Sequence, residues 1–275
     1  MSKAVFFRPL PMTIVSATGT VAGHDAAYLG NDHMGVVWRA VSDAGGNSIM
    51  IDMGADVAVD SAALICIDGA GVGWSVQVDG ATSAQGPSFA GTNFTAGVIP
   101  QLSLLIGDAP VSGRGRGFYR RAGGPVVARY WRVLITAPSA GQTFSIARIA
   151  LGCAFQPERN FDFGGAFGVR DSGTVDWSSR GVFLRRRGMK NRSTGLSFAS
   201  LYKDEVKAAV QPMIERVGGT GPIVLVTDPD ADDDLQNRIY FGPLVGDLGT
   251  IQAKASAGWQ FQANIVDLES YAGDA

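Results

Sequence analysis

Cysteine is scarce in this chain, with Cys66 and Cys153 the only two among 275 residues. Two thiols cannot build a disulfide framework or a four-cysteine zinc site. Each lies in an apolar stretch, Ala63-Leu64-Ile65-Cys66-Ile67 and Leu151-Gly152-Cys153-Ala154-Phe155, which reads as a buried free thiol. Histidine is equally rare. His24 and His33 share one turn-like segment without the HExxH spacing of a zinc protease, so no metal is expected there. Charge is thin: 17 % of residues are charged and the formal net charge is −2. That excludes a polycation for nucleic acid and an acidic disordered tail. No run of about 18 apolar residues is present, so no helix is expected to span a membrane. Met1 to Pro9 lacks the apolar core and cleavage site of a secretory leader. The sequons at Asn93 and Asn191 then carry little weight.

What the chain has instead is glycine and strand pattern. Glycine accounts for 37 of the 275 residues, nearly twice the usual share of about 7 %. Hydrophobic residues make up 46 %, enough for a sizeable core. Trp74-Ser75-Val76-Gln77-Val78-Asp79 alternates apolar and polar with period two, the mark of a half-buried strand. Ser48 to Gly54, Val57 to Asp68, Val126 to Thr136 and Ser145 to Leu151 read likewise as strands. Turn clusters of Gly, Ser, Asp and Asn separate them at short intervals, as in a sandwich or barrel.

The composition changes at Gln156-Pro157-Glu158-Arg159-Asn160, a polar break. A division into residues 1–156 and 157–275 is therefore expected, with 1–13 a candidate extended arm because of Pro9 and Pro11. After the break come Phe161-Asp162-Phe163-Gly164-Gly165 and a basic, strand-like stretch from Thr174 to Lys190. One helix is predicted, near 201–217. Val206, Val210, Met213, Ile214 and Val217 recur at helical spacing. Ser200 is the expected cap, Asp204 and Glu205 favour the positive end, and Gly218-Gly219 closes it. Pro212 should kink it. Pro222 to Thr227 reads as a short buried strand. Arg238 to Gly242, Gly249 to Ala255 and Gly258 to Leu268 read as further strands.

Several stretches invite chemistry. Gly69-Ala70-Gly71-Val72-Gly73 follows a strand, yet another strand pattern follows where a dinucleotide site needs a helix, so a hairpin turn is expected. Asp228-Pro229-Asp230-Ala231-Asp232-Asp233-Asp234 places Asp at calcium-loop positions 1, 3 and 5. It has Asp233 where glycine belongs and Ile239 where a bidentate Glu belongs. A solvated loop or an interface acceptor for arginine fits better. Ser112 to Arg121 mixes Arg, Gly and aromatics, a pattern that binds nucleic acid or, as a flexible loop, an acidic partner. Arg180, Arg185, Arg186, Arg187, Lys190 and Arg192 form a second basic cluster. Neighbouring strand residues point to opposite faces, so Arg185 to Arg187 cannot share one surface. Both faces must be wet or paired, as at a subunit interface, where arginine pairs bidentately with carboxylates. No GxSxG or other catalytic motif is present. No catalytic, cofactor or metal residue is assigned, and enzyme activity is not expected. A hydrolase whose carboxylates meet only in the fold is the remaining enzymatic reading.

Two resemblances carry the reading further. Gly35-Val36-Val37-Trp38-Arg39-Ala40, Ile49-Met50-Ile51-Asp52-Met53-Gly54 and Val59 to Ile65 resemble the opening of a discoidin-like jelly roll. Ala128-Arg129-Tyr130-Trp131-Arg132-Val133-Leu134-Ile135 with Phe144 to Gly152 resembles its close. Arg148 is a departure, standing where an acidic residue is frequent. In the second half, Arg185 to Lys190, Leu196 to Leu201, the single helix, Gly221 to Val226, Asp228-Pro229, Tyr240 to Leu244 and Trp259 to Glu269 resemble tail-tip proteins of long-tailed bacteriophages, the distal-tail and minor-tail kind.

Together these imply a mainly β chain, a discoidin-like β-sandwich plus a split β-barrel of tail-tube type carrying one α-helix. They imply a structural protein of the virion tail tip, assembled in the host cytoplasm. The barrel would pack with copies of itself into a ring, a hexamer or trimer, around the DNA channel. Implied partners are tail tube, hub and fibre proteins, with DNA only as passing cargo and no membrane insertion. The Asp228–Asp234 loop is then a candidate acidic lining of that channel. The alternative is a carbohydrate-binding protein for host recognition, with a saccharide pocket near Trp38, Trp74 or Phe94.

Overall fold

The computed structural model describes residues 2–107, 115–252 and 258–270, and all the strand pairings among them are antiparallel. The chain starts with a short strand, β1 (Val5–Phe7). Then come β2 (Thr13–Ala17), β3 (Trp38–Val41), β4 (Asn47–Asp68), β5 (Ser75–Ala81), β6 (Thr95–Ser103), β7 (Arg116–Thr136) and β8 (Thr143–Gly152). In sequence β4 reads as two or three strands, because Gly54 and the polar residues after it break the alternation. In the fold it is one strand that bends and serves two layers. Its first part, Asn47 to Asp52, pairs with Tyr130 to Ile135 at the far end of β7. Its second part, from Ser61, pairs with β8 and with the start of β7. Strands β2, β5 and β6 extend the first layer and β3 the second. The layers close on a core that includes Ile49, Ile51, Val76, Val78, Leu64 and Ile146. Phe144 sits between Trp38 and Trp74, its centroid 5.4 and 4.9 Å from theirs.

The turn at Gly69–Gly73 is not a hairpin. It leads from β4 in one layer to β5 in the other, and β5 pairs with β6 and β7 instead. The Arg-Gly stretch also differs from expectation. Ser112, Gly113 and Arg114 lie outside the described residues, while Arg116 to Arg121 run inside β7. Phe118 and Tyr119 are core residues there. Arg148 is buried, donating from Nη1 to the Leu29 carbonyl (3.2 Å) and lying 3.3 Å from Asp32.

The second half contains β9 (Ala166–Asp171), β10 (Thr174–Trp177), β11 (Phe183–Arg186), β12 (Lys190–Leu201), β13 (Pro222–Val226), β14 (Ile239–Pro243), β15 (Thr250–Gln252) and β16 (Trp259–Ser270). A four-stranded sheet has the order β15-β16-β12-β9. A three-stranded sheet has the order β1-β13-β14, so the first strand of the chain pairs across the expected division at residue 156, Val5 opposite Val226. The two sheets are joined by a bridge between Leu244 and Ile265, and among the described residues they stack as layers without closing into the expected barrel.

The three-stranded sheet explains why Val5-Phe6-Phe7, Ile223 to Val226 and Ile239-Tyr240-Phe241 are apolar without alternation. Both of its faces are covered, the arrangement in which strands read as continuous hydrophobic runs. Phe6, Ile223, Leu225 and Tyr240 face the helix and the four-stranded sheet. Val5, Phe7, Val224, Val226 and Phe241 face the first sandwich and pack with Ala63, Ile65, Tyr119 and Ala150. The Gln236 side chain adds a polar stitch, accepting from Gly117 N–H (3.2 Å) and donating to the Ile106 carbonyl (3.0 Å). Where β14 crosses β16, Gly242 is obligatory, because a Cβ there would stand 1.9 Å from the Val266 carbonyl oxygen.

The helix runs over 203–217. It is α over Lys203–Glu205, π over Val206–Val210 and α again over Gln211–Val217. Pro212 has no N–H to give, and the preceding Gln211 N–H reaches back to the Val206 carbonyl, the wider π spacing. Ser200 does not cap it, because it lies in β12; the helix starts after Tyr202, whose N–H donates to Glu205 Oε2 (2.9 Å). Gly218, with φ of 57°, ends it as expected.

Candidate assembly surface

Core packing disposes of most sequence candidates. Trp38 and Trp74 are buried in the first sandwich and present no platform to a sugar. Phe94 is half-buried. Its ring and that of Phe89 each lie 5.1 Å from the Arg132 guanidinium, which is held by Asp79 at 2.7 Å. Two other buried carboxylates are used in the same way. Asp60 pairs with Arg121 (2.9 Å) and Asp267 with Arg192 (2.7 Å), each joining neighbouring strands. His24 sits with Nδ1 3.1 Å from the Val37 carbonyl. Cys66 is partly buried, and burial pushes its thiol up to about 12. Cys153 is exposed, against expectation. It follows Gly152 at the end of β8, where Leu151 and Ala154 turn inward instead.

The Asp228–Asp234 loop is an arginine acceptor. Arg238 lies 2.9 Å from Asp232, 3.7 Å from Asp234 and 3.8 Å from Asp228. Ser2 N–H donates to Asp228 (3.1 Å) and Asp230 (3.2 Å), and its hydroxyl also meets Asp230. That hydroxyl holds the Asp230 carboxyl below its ordinary value. Among the described residues no group of three His, Cys, Asp or Glu side chains is placed to hold a metal ion.

The unsatisfied part of the molecule is elsewhere. Of fifteen exposed large apolar side chains among the described residues, nine fall between Phe163 and Met189. Isolated exposed apolar residues are ordinary, whereas a contiguous set marks a contact surface. The set is built by one long hairpin. Strand β9 pairs with β12, Phe167 opposite Thr194 and Val169 opposite Arg192. Paired residues share a face, so Phe167 and Val169 continue the inner face on which Thr194 and Leu196 are buried. They are nonetheless 57 % and 53 % exposed, because the cover of that face stops short of them.

Beyond β9 the hairpin leaves the sheet through a neck of two glycines. A Cβ on Gly188 would stand 2.1 Å from the Gly173 nitrogen, so side chains are excluded where the two chains cross. Past the neck, β10 and β11 form a free two-stranded ribbon, with Val175 opposite Arg185 and Trp177 opposite Phe183. Trp177 and Phe183 meet edge to face at 5.2 Å, yet Trp177 remains 63 % exposed. One face of the ribbon thus carries Val175, Trp177, Phe183 and Arg185. The other carries Thr174, Asp176, Leu184 and Arg186. Both faces are wet, as the run of adjacent arginines requires. Sequence reasoning located the basic stretch and missed the apolar one; the adjacent Val182-Phe183-Leu184 was the available signal.

No family model matches the chain, and no curated protein matches it. Solved structures do. The chitosan-binding module 1 of a chitosanase/glucanase from Paenibacillus sp. IK-5 is 16 % identical, with 53 % of this chain and 98 % of that one covered and a TM-score of 0.40. The family 32 CBM of C. perfringens NanJ, solved in complex with galactose, is 15 % identical, covering 54 % and 98 %, with a TM-score of 0.37. Reduced XRCC1 bound to the DNA pol beta catalytic domain is 16 % identical, covering 53 % and 98 %, with a TM-score of 0.41. The three are associated with chitosan, galactose and a DNA polymerase respectively, so likeness at this level selects no partner for the present chain.

Proposed function

We propose that the chain is a structural, non-catalytic component of the tail tip of a long-tailed bacteriophage or tail-like particle. In this reading it packs with copies of itself into a ring and joins the tail tube to tip or fibre proteins. The observation that supports it is the 163–189 hairpin, whose apolar side chains lie uncovered on both faces of a ribbon. A chain that folds in this way is built to be completed by other protein. The first sandwich, fixed to the second half through the doubly covered sheet, is then a rigid outward module. The test is location. Mass spectrometry of purified particles, with gold-labelled antibody imaging, is expected to find the protein at the end of the tail. Its absence from particles refutes the reading.

The second reading is carbohydrate binding by the first sandwich, the activity named for two of the solved structures above. Its support within this chain is the half-buried Phe94 beside Arg132, an apolar ring next to a guanidinium, groups that suit a sugar's ring face and hydroxyls. A glycan array probed with the native chain and with Phe94→Ala tests it. Binding that the variant loses supports the reading, and an array without hits removes it.

A further inference from the structure

We infer that the 163–189 hairpin seats on a second copy of this same chain, in a head-to-tail contact. This rests on the assembly reading above and names the partner of that surface. The first argument is charge. Residues 163–190 hold six basic and two acidic side chains, a net of +4, which leaves −6 on the rest of a chain whose total is −2. Arg170, Arg180, Arg185 and Arg186 are exposed and ion-pair with no carboxylate among the described residues of their own chain. The carboxylates that complement them are carried by the remainder of the same sequence. Two copies attract when the hairpin of one meets the body of the next, and repel hairpin to hairpin.

The second argument is the sheet. In the order β15-β16-β12-β9, the hairpin strand β9 is one edge and β15 the opposite one, both open among the described residues. Both are exposed: Ile251 on β15 is 67 % accessible, and Phe167 and Val169 on β9 are uncovered. A sheet with unlike open edges is completed by a neighbour in the same orientation, and such heterologous contacts repeat until a ring closes. The like-charge repulsion of two hairpins disfavours the two-fold alternative, in which the same patch meets itself.

The test uses the full chain. Sedimentation and light scattering over a concentration and salt series compare the native protein with R185E/R186E and with Trp177→Ser. All three positions are exposed on the free ribbon, so circular dichroism and the thermal midpoint are expected to be unchanged. The native chain is expected to form multimers that salt weakens. Each variant is expected to raise the concentration for half-assembly by at least about tenfold. Hydrogen exchange of residues 163–189 is expected to slow on assembly. A native chain that stays monomeric, or variants that assemble like it, overturns the inference. The two readings fail separately. Self-assembly through the ribbon by a protein absent from particles sinks the tail reading alone. A ring found in tails whose copies meet through another surface, with the ribbon protected by a different protein, sinks this one alone.

Discussion

Arg192 stands at the root of the hairpin, and its removal tests how that root is held. The side chain and that of Asp267 are almost wholly buried. Nη2 and Nε donate to Asp267 Oδ2 at 2.7 and 3.2 Å, Nη1 donates to the Asn237 carbonyl at 2.8 Å, and Nη2 also donates to the Ile239 carbonyl. The guanidinium lies 4.2 Å from the centroid of the Tyr240 ring. One arginine therefore ties β12 to β16 and to the end of β14. Arg192→Met keeps the volume and removes the positive charge beside the buried Asp267, whose remaining contacts include Phe241 N–H at 3.4 Å and Glu269 N–H at 3.2 Å. Breaking one side of a buried pair costs about 3–5 kcal/mol, which lowers the thermal midpoint of a chain this size by roughly 6–20 °C. The double variant R192M/D267L removes the buried negative charge as well and is expected to recover at least about 2 kcal/mol of that. Guanidinium denaturation of the native protein, the single and the double variants reads both numbers. Hydrogen exchange at residues 190–195 is expected to quicken in the single variant. A loss under about 1 kcal/mol, or a double variant no more stable than the single one, refutes the argument.

Three further outcomes follow from geometry already described. Arg129 grips Asp52 with two bonds (2.8 and 2.9 Å) and depresses its carboxyl, so the stabilisation is present above the unfolded value of about 3.9 and fades as pH falls through the lower folded value. Arg129→Gln should flatten that acid limb of a stability-versus-pH curve, with only a small loss of stability at neutral pH because water screens the pair. Thiol titration of the native protein should modify Cys153 first, with Cys66 following only on unfolding. Equal rates for the two would contradict the burial of Cys66. Gly242→Ala drives a methyl group into the Val266 carbonyl and should cost about 2 kcal/mol or more in denaturant midpoint; an unaffected midpoint would show that the strands can part.

Period-two alternation located β5 to within two residues, because Val76 and Val78 meet a core while Ser75 and Gln77 are only partly covered; β8 was located as closely from its apolar content, although both of its faces are buried. The helix was legible from Val206, Val210 and Val217, all of which are buried. Its π turn was not, although Pro212 announced a disturbance. Strands β4 and β7 were read in pieces because bent strands lose their alternation at the bend. The pairing of β1 with β13 left no local mark. Long-range partners are chosen by packing, and Val5-Phe6-Phe7 advertises burial without saying against what. The hairpin was half legible. Consecutive arginines implied wet or paired faces, whereas Phe167, Val175 and Trp177 look in sequence like any core residues.

The same β1–β13 pairing sets a timetable for synthesis. The Val5-Phe6-Phe7 strand is made early, yet its partner Val224 to Val226 follows more than two hundred residues later. At about 5–20 residues per second the wait is on the order of ten to forty seconds. Through that interval the first sandwich can close on its own core, because its strands are complete by Gly152. The early strand meanwhile lacks β13 and has only the bridge from Phe6 to Phe155 to hold it, a three-residue apolar segment flanked by Lys3 and Arg8. Those two charges are its guard against premature pairing with another nascent chain. Replacing them with serine should leave the finished molecule intact and lower the yield of soluble protein.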